Sequence, residues 1–321
     1  MNIVPVELRN KLPDFSFDQN LEFDESVQSY RDFYHLDFEQ RYPGLKSYMG
    51  KTHVAGFDIV VHSYVPAKAQ ATVFVVHGYY DHVGIYTHLI RHLLKNNFAV
   101  VAFDLPGHGL SSGSRAAISS FRQYQPVFKK VVMLCRGKLP GPWHIVAQST
   151  GGAITMEYLL EFAGNEQRIP FKGVVLLAPL VRPVHWFWNS KLHSLVSPFT
   201  RFVKRKFSPS SNDDDFLEFV SKKDPLQPRF LSANWVGALK QWIPYLERHQ
   251  PVQFPILVIQ GKSDQTVDWR HNLPILQKLF APAEIQYLPK VRHHVVNELE
   301  LYRKDVFSRI VNYLSPFSTP Q

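Results

Sequence analysis

A serine with the surroundings of a nucleophile lies at position 149. The segment 144–153, HIVAQSTGGA, runs from apolar residues through a turn of small residues into a helical pattern. A serine on such a strand-to-helix turn sits on a sharp, strained bend, and small residues two positions before and after it let the backbone fold tightly. Here these residues are Ala147 and Gly151, so the motif is AxSxG and not the full GxSxG. Ser149 is therefore a candidate nucleophile for acyl transfer.

A serine hydroxyl needs a base to take its proton, and the base needs an orienting carboxylate. With this type of turn, the acid and then the histidine follow the serine along the chain. Asp264 follows the apolar run 255–261, and His293 and His294 follow the next strand pattern. Asp268 is a competing carboxylate, but its position before a helical pattern is more typical of a helix cap. These residues leave the choice between the two histidines open.

Acyl transfer also needs backbone N–H groups that bind the oxyanion of the tetrahedral intermediate. One is expected from Thr150, the residue after the nucleophile, and one from the loop after the strand pattern 72–76. Gly78 lets the backbone of that loop turn closely, so the second donor is predicted to be the amide of Tyr79.

The elements that must position these residues alternate between short apolar runs and amphipathic segments. Strand patterns cover 47–54, 58–64, 72–76, 99–103, 144–147, 173–177, 256–259 and 284–288, and helical patterns cover 85–95, 121–136, 153–162, 271–280 and 298–313. The last six strand patterns are nearly continuous apolar runs, as in parallel strands buried on both faces. The sequence therefore predicts an α/β fold with a mostly parallel eight-stranded sheet flanked by helices, whose first two strands are antiparallel around Gly56.

Two stretches interrupt this alternation and divide the chain. Residues 1–45 are predicted to be an arm of helix and loop packed on the core, which comprises 46–180 and 251–321. Residues 181–250 form an insertion between two core strands, and loops at the carboxyl ends of such strands surround the ligand site. We therefore expect a helical cap or lid there. Tyr80 beside the oxyanion loop and Trp186 and Trp188 in the cap are the candidate substrate-binding residues.

The composition and the distribution of charge indicate in which compartment the protein works and how it could contact a membrane. The formal net charge is +9, but residues 1–45 hold nine acidic and four basic side chains, whereas residues 182–206 hold six basic and no acidic ones. Cys135 is the only cysteine, so no intrachain disulfide is possible and a cytoplasmic location is expected. No apolar stretch has signal-peptide form, and none reaches the 18 or so residues of a membrane-spanning helix. Any membrane contact is expected to be peripheral, at the inner face.

Five blocks in register, over about residues 50–315, make the chain resemble the α/β-hydrolase superfamily. Within it, the chain is most similar to the monoacylglycerol lipase and lysophospholipase branch, also described as serine-aminopeptidase-like hydrolases. The blocks are HGYYDH at 77–82 with Tyr86, DLPGHGLSSG at 104–113, AQSTGG at 147–152, GKSDQTV at 261–267 and RHHVVNE at 292–298. Relatives read R-H-E in the last block, so the resemblance assigns the base to His293. The chain departs from the branch at Ala147 and at Tyr79 and Tyr80, where relatives carry small residues.

The resemblance implies a serine carboxylic-ester hydrolase that works through an acyl-enzyme, without a cofactor or metal, on monoacylglycerol or lysophospholipid esters. The alternatives on the same triad are a serine peptidase or aminopeptidase and a thioesterase, and a non-catalytic binding module is a further one. A metal-dependent hydrolase is a rival from another class, because His77, Asp81 and His82 partly match an HxHxDH zinc motif. Tyrosine at position 79 replaces one of its ligands.

The basic and aromatic residues of the cap allow three interpretations. Interleaved aromatic and cationic side chains are typical of an element at an anionic lipid surface. The same side chains could bind nucleic acid, although the hydrolase motifs argue against a nucleic-acid partner. The third interpretation is an ordinary cap whose aromatic side chains pack on the core while its cations stay in water. The sequence predicts no oligomeric state.

Overall fold

An eight-stranded sheet forms the centre of the protein in the computed structural model, which describes residues 3–18 and 22–318. Its order is β1-β2-β4-β3-β5-β6-β9-β10. β1 pairs antiparallel with β2, and β2 pairs antiparallel with β4, whereas all other neighbours are parallel. The strands are β1 Lys46–Val54, β2 Phe57–Val65, β3 Ala71–Val76, β4 Phe98–Phe103, β5 Trp143–Gln148, β6 Phe171–Leu177, β9 Ile256–Gly261 and β10 Ala283–Leu288. The predicted fold class is confirmed.

Two hydrophobic cores lie on the two faces of the sheet because side chains alternate along each strand. Phe74 and Val76 of β3 enter one core, and Val73 and Val75 enter the other. The helices are α1 Pro5–Lys11, α2 Glu25–Phe33, α3 Thr87–Lys95, α4 Tyr124–Cys135, α5 Thr150–Leu160, α6 Trp186–Val196, α7 Asp214–Glu218, α8 Ala233–Glu247, α9 Trp269–Leu279 and α10 Glu300–Leu314. The first core receives α4, α5, α8 and α9, and the second receives α1, α2, α3 and α10.

The stretch between β6 and β9 contains α6, α7, α8 and a two-stranded ribbon that the sequence did not predict. The ribbon pairs β7 Phe202–Lys204 with β8 Phe230–Ser232. The stretch follows the carboxyl end of β6, on the side of the sheet where β5 ends at the candidate nucleophile. In the ranges 3–18 and 22–318, no helix is both long and apolar enough to cross a membrane.

One buried carboxylate connects the amino-terminal segment, the central sheet and this insertion. Asp224 of the insertion is fully buried. Its Oδ1 accepts a hydrogen bond of 2.6 Å from the hydroxyl of Tyr34, and its Oδ2 lies 2.9 Å from Nε2 of His82 in the loop after β3. The amide of Leu226 donates a further hydrogen bond to Oδ1. These contacts join segments separated by more than 140 residues, so Asp224 is a main determinant of how they pack.

Asp224→Ala is expected to lower the free energy of unfolding by about 3–5 kcal/mol, because it leaves Tyr34 and His82 buried without their partner. Chemical denaturation followed by circular dichroism measures this change. Asp215→Ala, at an exposed acid in α7, is the control and should cost about 1 kcal/mol or less. Equal effects of the two substitutions would contradict this account of the Asp224 network.

Candidate active site

Ser149 lies on a strained turn between β5 and α5. Its φ is +52° and its ψ is −111°, a backbone conformation that few residues with a side chain adopt. A Cβ at position 151 would lie 2.1 Å from the carbonyl oxygen of Val76, so only glycine fits there. Ala147 is fully buried within β5, paired with Val76 on one side and with Leu176 on the other. The turn thus accepts the additional methyl group of the AxSxG motif.

The structure brings Ser149, His293 and Asp264 into one hydrogen-bonded chain. Nε2 of His293 lies 3.0 Å from Oγ of Ser149, and Nδ1 of the same ring lies 2.8 Å from Oδ2 of Asp264. With the proton on Nδ1, the ring donates to Asp264 and accepts from the Ser149 hydroxyl. His294 has a different partner, since its Nε2 lies 3.1 Å from Oδ1 of Asp81. His293 is therefore the ring placed to take the serine proton.

The competing carboxylate Asp268 has the structural role that its position predicts. It is the N-cap residue of α9, and its side chain accepts a hydrogen bond from the amide of His271. Asp264, by contrast, lies in the loop after β9 and is buried beside the ring of His293. The position of a carboxylate relative to the strand end thus distinguishes the candidate orienting acid, Asp264, from the helix cap, Asp268.

Two glutamines that sequence reasoning missed hold Asp264 and His293 in place. Nε2 of Gln260 donates to Oδ2 of Asp264 at 3.1 Å, and Nε2 of Gln148 donates to the carbonyl oxygen of His293 at 2.9 Å. The amide of Thr266 adds a hydrogen bond of 2.7 Å to the other oxygen of Asp264. Gln148 is the last residue of β5 and Gln260 the second-last of β9, and both strands are otherwise mostly apolar. A polar residue at such a position, next to a candidate site residue, is the signal that could have identified them.

Burial and ion pairing shift the pKa values of Asp264 and His293 in opposite directions. Burial alone would raise the pKa of Asp264, but His293 and the hydrogen bonds from Thr266 and Gln260 hold that pKa below its ordinary value. Burial alone would lower the pKa of His293, but the nearby carboxylates of Asp264 and Asp81 raise it above its ordinary value. The pair therefore favours an ionised acid next to an imidazole that accepts a proton readily.

The two amides expected to bind an oxyanion lie beside the serine. Thr150 is the first residue of α5. Gly78, which precedes Tyr79, lies so close to Ser149 that a Cβ at position 78 would be 3.3 Å from Cβ of Ser149. Neither the Thr150 nor the Tyr79 amide donates a hydrogen bond to any described residue. The Tyr79 side chain is held elsewhere, since its hydroxyl donates to the carbonyl of Ala116 and its ring stacks on Trp235 at 3.8 Å. The bulky residue at 79 thus packs against α8.

A cavity of about 480 Å³ opens above Ser149 and His293. Most of its wall is apolar and comes from α6, α8 and β8, including Trp186, Leu192, Val196, Leu231, Val236 and Leu239. Tyr80 and Trp186 line this cavity, but Trp188 does not and is 70% exposed. Trp188 is therefore corrected from a candidate substrate contact to a surface residue of the insertion, because α6 turns its side chain to water.

The histidines of the partial zinc motif already have protein partners. Nδ1 of His77 contacts the carbonyl of Gly78, and its Nε2 accepts a hydrogen bond from the amide of Leu105. His82 accepts from the amide of Gly84 through Nδ1 and contacts Asp224 through Nε2. All four ring nitrogens thus have partners within the protein, and this arrangement gives no support to a metal-dependent hydrolase.

An α/β-hydrolase is defined by a mostly parallel sheet with a serine on a strained turn between a strand and a helix, followed along the chain by an acid and a histidine in later loops. The sheet of this protein, with Ser149 after β5 and with Asp264 and His293 in later loops, matches this definition. Residues 67–300 match the family model described as "Serine aminopeptidase, S33". The chain therefore belongs to this family of hydrolases. The match spans most of the chain and includes Ser149, Asp264 and His293.

Similar proteins are named as lipases and phospholipases. The monoacylglycerol lipase of Mycolicibacterium smegmatis is 25% identical over 285 residues, covering 81% of this chain and 95% of that protein. The phospholipase YtpA of Bacillus subtilis is 25% identical over 255 residues, covering 75% of this chain and 93% of that protein. A soluble variant of the Saccharomyces cerevisiae monoglyceride lipase, solved with a substrate analog, shares the fold with a TM-score of 0.72. Its identity is 17%, and the match covers 84% of this chain and 95% of that one.

Asp264→Asn should lower the pKa of His293, because it removes the negative charge that raises this pKa and leaves the burial that lowers it. Titration of the imidazole signals by NMR measures the shift. Asp268→Asn, in the helix cap, is the matched control and should leave the His293 titration unchanged. A wild-type pKa at or below that of the Asp264→Asn variant would contradict the proposed pairing.

Proposed function

We propose that this protein is a serine carboxylic-ester hydrolase with Ser149 as nucleophile, His293 as base and Asp264 as orienting acid. The observation that carries the proposal is the hydrogen-bonded chain from Oγ of Ser149 through His293 to Asp264, with distances of 3.0 and 2.8 Å. Both are within the reach that proton transfer requires. The complete chain of donors and acceptors supports catalysis over a non-catalytic binding module.

In the first half of the reaction, Nε2 of His293 takes the hydroxyl proton as Oγ of Ser149 attacks the ester carbonyl carbon. The amides of Tyr79 and Thr150 bind the oxyanion of the tetrahedral intermediate. The carbon–oxygen bond to the alcohol then breaks, His293 gives its proton to the leaving oxygen, and the acyl-enzyme remains. In the second half, His293 takes a proton from water as the water attacks the acyl carbon. The bond between that carbon and Oγ of Ser149 then breaks, and His293 returns the proton to Oγ, which releases the carboxylic acid and restores the serine hydroxyl.

Monoacylglycerol and lysophospholipid esters are the proposed substrates. The mostly apolar wall of the cavity fits a fatty acyl chain. The names of the relatives, a monoacylglycerol lipase and a phospholipase, support this substrate class.

An aminopeptidase would need a carboxylate to bind the free amino group of its substrate. Asp81 is the one acid among the described residues that line the cavity. Its Oδ1 contacts His294, and its Oδ2 accepts hydrogen bonds from the amide of Gly78 and the hydroxyl of Tyr86. With both oxygens engaged, Asp81 favours an ester over an aminoacyl substrate.

Ser149→Ala should reduce kcat on p-nitrophenyl esters by at least about 10³-fold, since it removes the nucleophile while the fold is retained. Monoacylglycerol, lysophospholipid, thioester and aminoacyl amide substrates tested in parallel would identify the preferred bond. Ser119→Ala, at an exposed serine, is the control and should behave as wild type. Retention of most activity by the folded Ser149→Ala variant would refute the assignment.

We further propose that the insertion between β6 and β9 is a cap and that it contacts the inner face of an anionic membrane. Several apolar side chains of this insertion are exposed, including Trp188, Leu195 and Phe199, with 70%, 70% and 87% of their surface accessible. The exposed cations Lys191, Arg201 and Lys204 lie among them in the chain. Apolar surface combined with positive charge is the arrangement that interfacial elements use.

Trp188→Ser combined with Phe199→Ser should weaken binding to vesicles of phosphatidylcholine and phosphatidylglycerol, and Lys191→Gln combined with Lys204→Gln should do so most strongly at low salt. Co-sedimentation with the vesicles measures both effects. Leu301→Ser is the control because Leu301 is 75% exposed but lies on α10, outside the cap. Binding that none of the cap substitutions changes, or no binding at low salt, would reject the membrane contact.

A further inference from the structure

A single arginine of the cap does not share the solvent exposure of its neighbours. Arg205 lies between the exposed Lys204 and Lys206, yet its guanidinium carbon is 3.8 Å from the ring centre of Tyr80 and 4.3 Å from that of Phe207. One of its terminal nitrogens, Nη1, donates 2.9 Å to the side-chain oxygen of Gln227. Stacking between two rings and this hydrogen bond hold the guanidinium in one place, whereas a surface arginine would sample many positions.

Arg205 lines the same cavity as Ser149 and His293. Its ring partner Tyr80 lies 4.0 Å from the ring of Tyr79, whose amide is the proposed oxyanion donor. The backbone of Tyr80 has a φ of +72°, which is unusual for an aromatic residue and indicates that the surrounding contacts fix its position. Two contacts, from Arg205 to the ring of Tyr80 and from that ring to the ring of Tyr79, therefore connect the guanidinium to the residue that carries the proposed oxyanion donor.

The charge of Arg205 has no carboxylate partner. Within the described ranges, no acidic oxygen lies within 4.0 Å of its guanidinium. Asp81, the one acid among the described cavity residues, is already engaged by His294, Tyr86 and Gly78. Lys206 also lines the cavity and adds a second positive charge. A partly buried, fixed and unpaired cation in a substrate cavity favours a ligand that carries a negative charge.

We propose that Arg205 binds the phosphate group of the substrate's alcohol portion, so that the enzyme prefers lysophospholipids to monoacylglycerols. This inference rests on the proposed function. In the proposed complex, Arg205 binds the phosphate, the apolar wall of the cavity holds the acyl chain, and Ser149 attacks the ester bond that joins these two parts of the substrate. The planar guanidinium can donate two hydrogen bonds to phosphate oxygens, which a neutral glycerol group cannot match in charge.

Arg205→Gln should raise KM for lysophosphatidylglycerol about 10- to 100-fold, the loss expected for a charge-assisted hydrogen bond, and leave KM for a monoacylglycerol of the same chain length unchanged. Arg205→Lys keeps the charge but not the planar group of donors, so its KM for lysophosphatidylglycerol should lie between the values of the wild type and the Arg205→Gln variant. Lys222→Gln is the matched control, since it removes an exposed positive charge of the insertion that does not line the cavity. A merely structural role for Arg205 would instead change both substrates equally, and that result would overturn the proposal.

Competition on the wild-type enzyme tests the same site without any substitution. Glycerol phosphate should inhibit hydrolysis of a short p-nitrophenyl ester more strongly than glycerol does, and more strongly than inorganic phosphate. Equal inhibition by glycerol phosphate and inorganic phosphate would indicate a general anion site and overturn the head-group assignment. Wild type that hydrolyses monoacylglycerol but not lysophospholipid overturns the Arg205 proposal alone, whereas wild type that hydrolyses no ester refutes the proposed function itself.

Discussion

The strained backbone at Ser149 is the constraint on which the rest of the active site depends. A positive φ at a residue with a side chain costs free energy, and it persists only where the surroundings enforce it. Here β5 is paired on both sides, Gly151 leaves room for the backbone of Val76, and Gly78 leaves room for the carboxylate of Asp81 and for Cβ of Ser149. The same turn directs the serine hydroxyl towards His293 and leaves the Thr150 amide at the start of a helix. The proposed nucleophile and one proposed oxyanion donor thus both depend on one backbone conformation.

Two adjacent histidines each have their own carboxylate in this site. His293 pairs with Asp264, and His294 pairs with Asp81, so two similar side chains serve different parts of the same cavity. The first pair contacts the serine. Through Asp81, the second reaches the amide of Gly78 and hence the loop that carries the oxyanion donor. Both carboxylates next to Ser149 therefore have a histidine partner, whereas Arg205 and Lys206, the insertion's cations that line the cavity, have no carboxylate within 4.0 Å among the described residues.

The fold, and the meeting of Ser149, Asp264 and His293, were largely predictable from sequence because both depend on local patterns and on chain order. Each of the eight strand patterns lies within the observed strand and differs from it by at most two residues at either end. The supporting contacts were not predictable, since Gln148 meets His293 across 145 residues and Tyr34 meets Asp224 across 190. The ribbon of β7 and β8 was missed because three-residue strands have too short a pattern. Trp188 was misassigned because aromatic content does not reveal which way a helix faces.

The buried carboxylate of Asp224 determines which part of the insertion is anchored to the core. Because Tyr34 and His82 both hold Asp224, and because Asn212 is bonded to Glu298, the second part of the insertion is fixed to the core. The portion from α6 to β7 is held differently, by the pairing of β7 with β8 and by the contact between Nε2 of His193 and the carbonyl oxygen of Ala233 at the start of α8. The exposed apolar side chains Trp188, Leu195 and Phe199 all lie in this portion, which is therefore anchored through the rest of the insertion and not through Asp224.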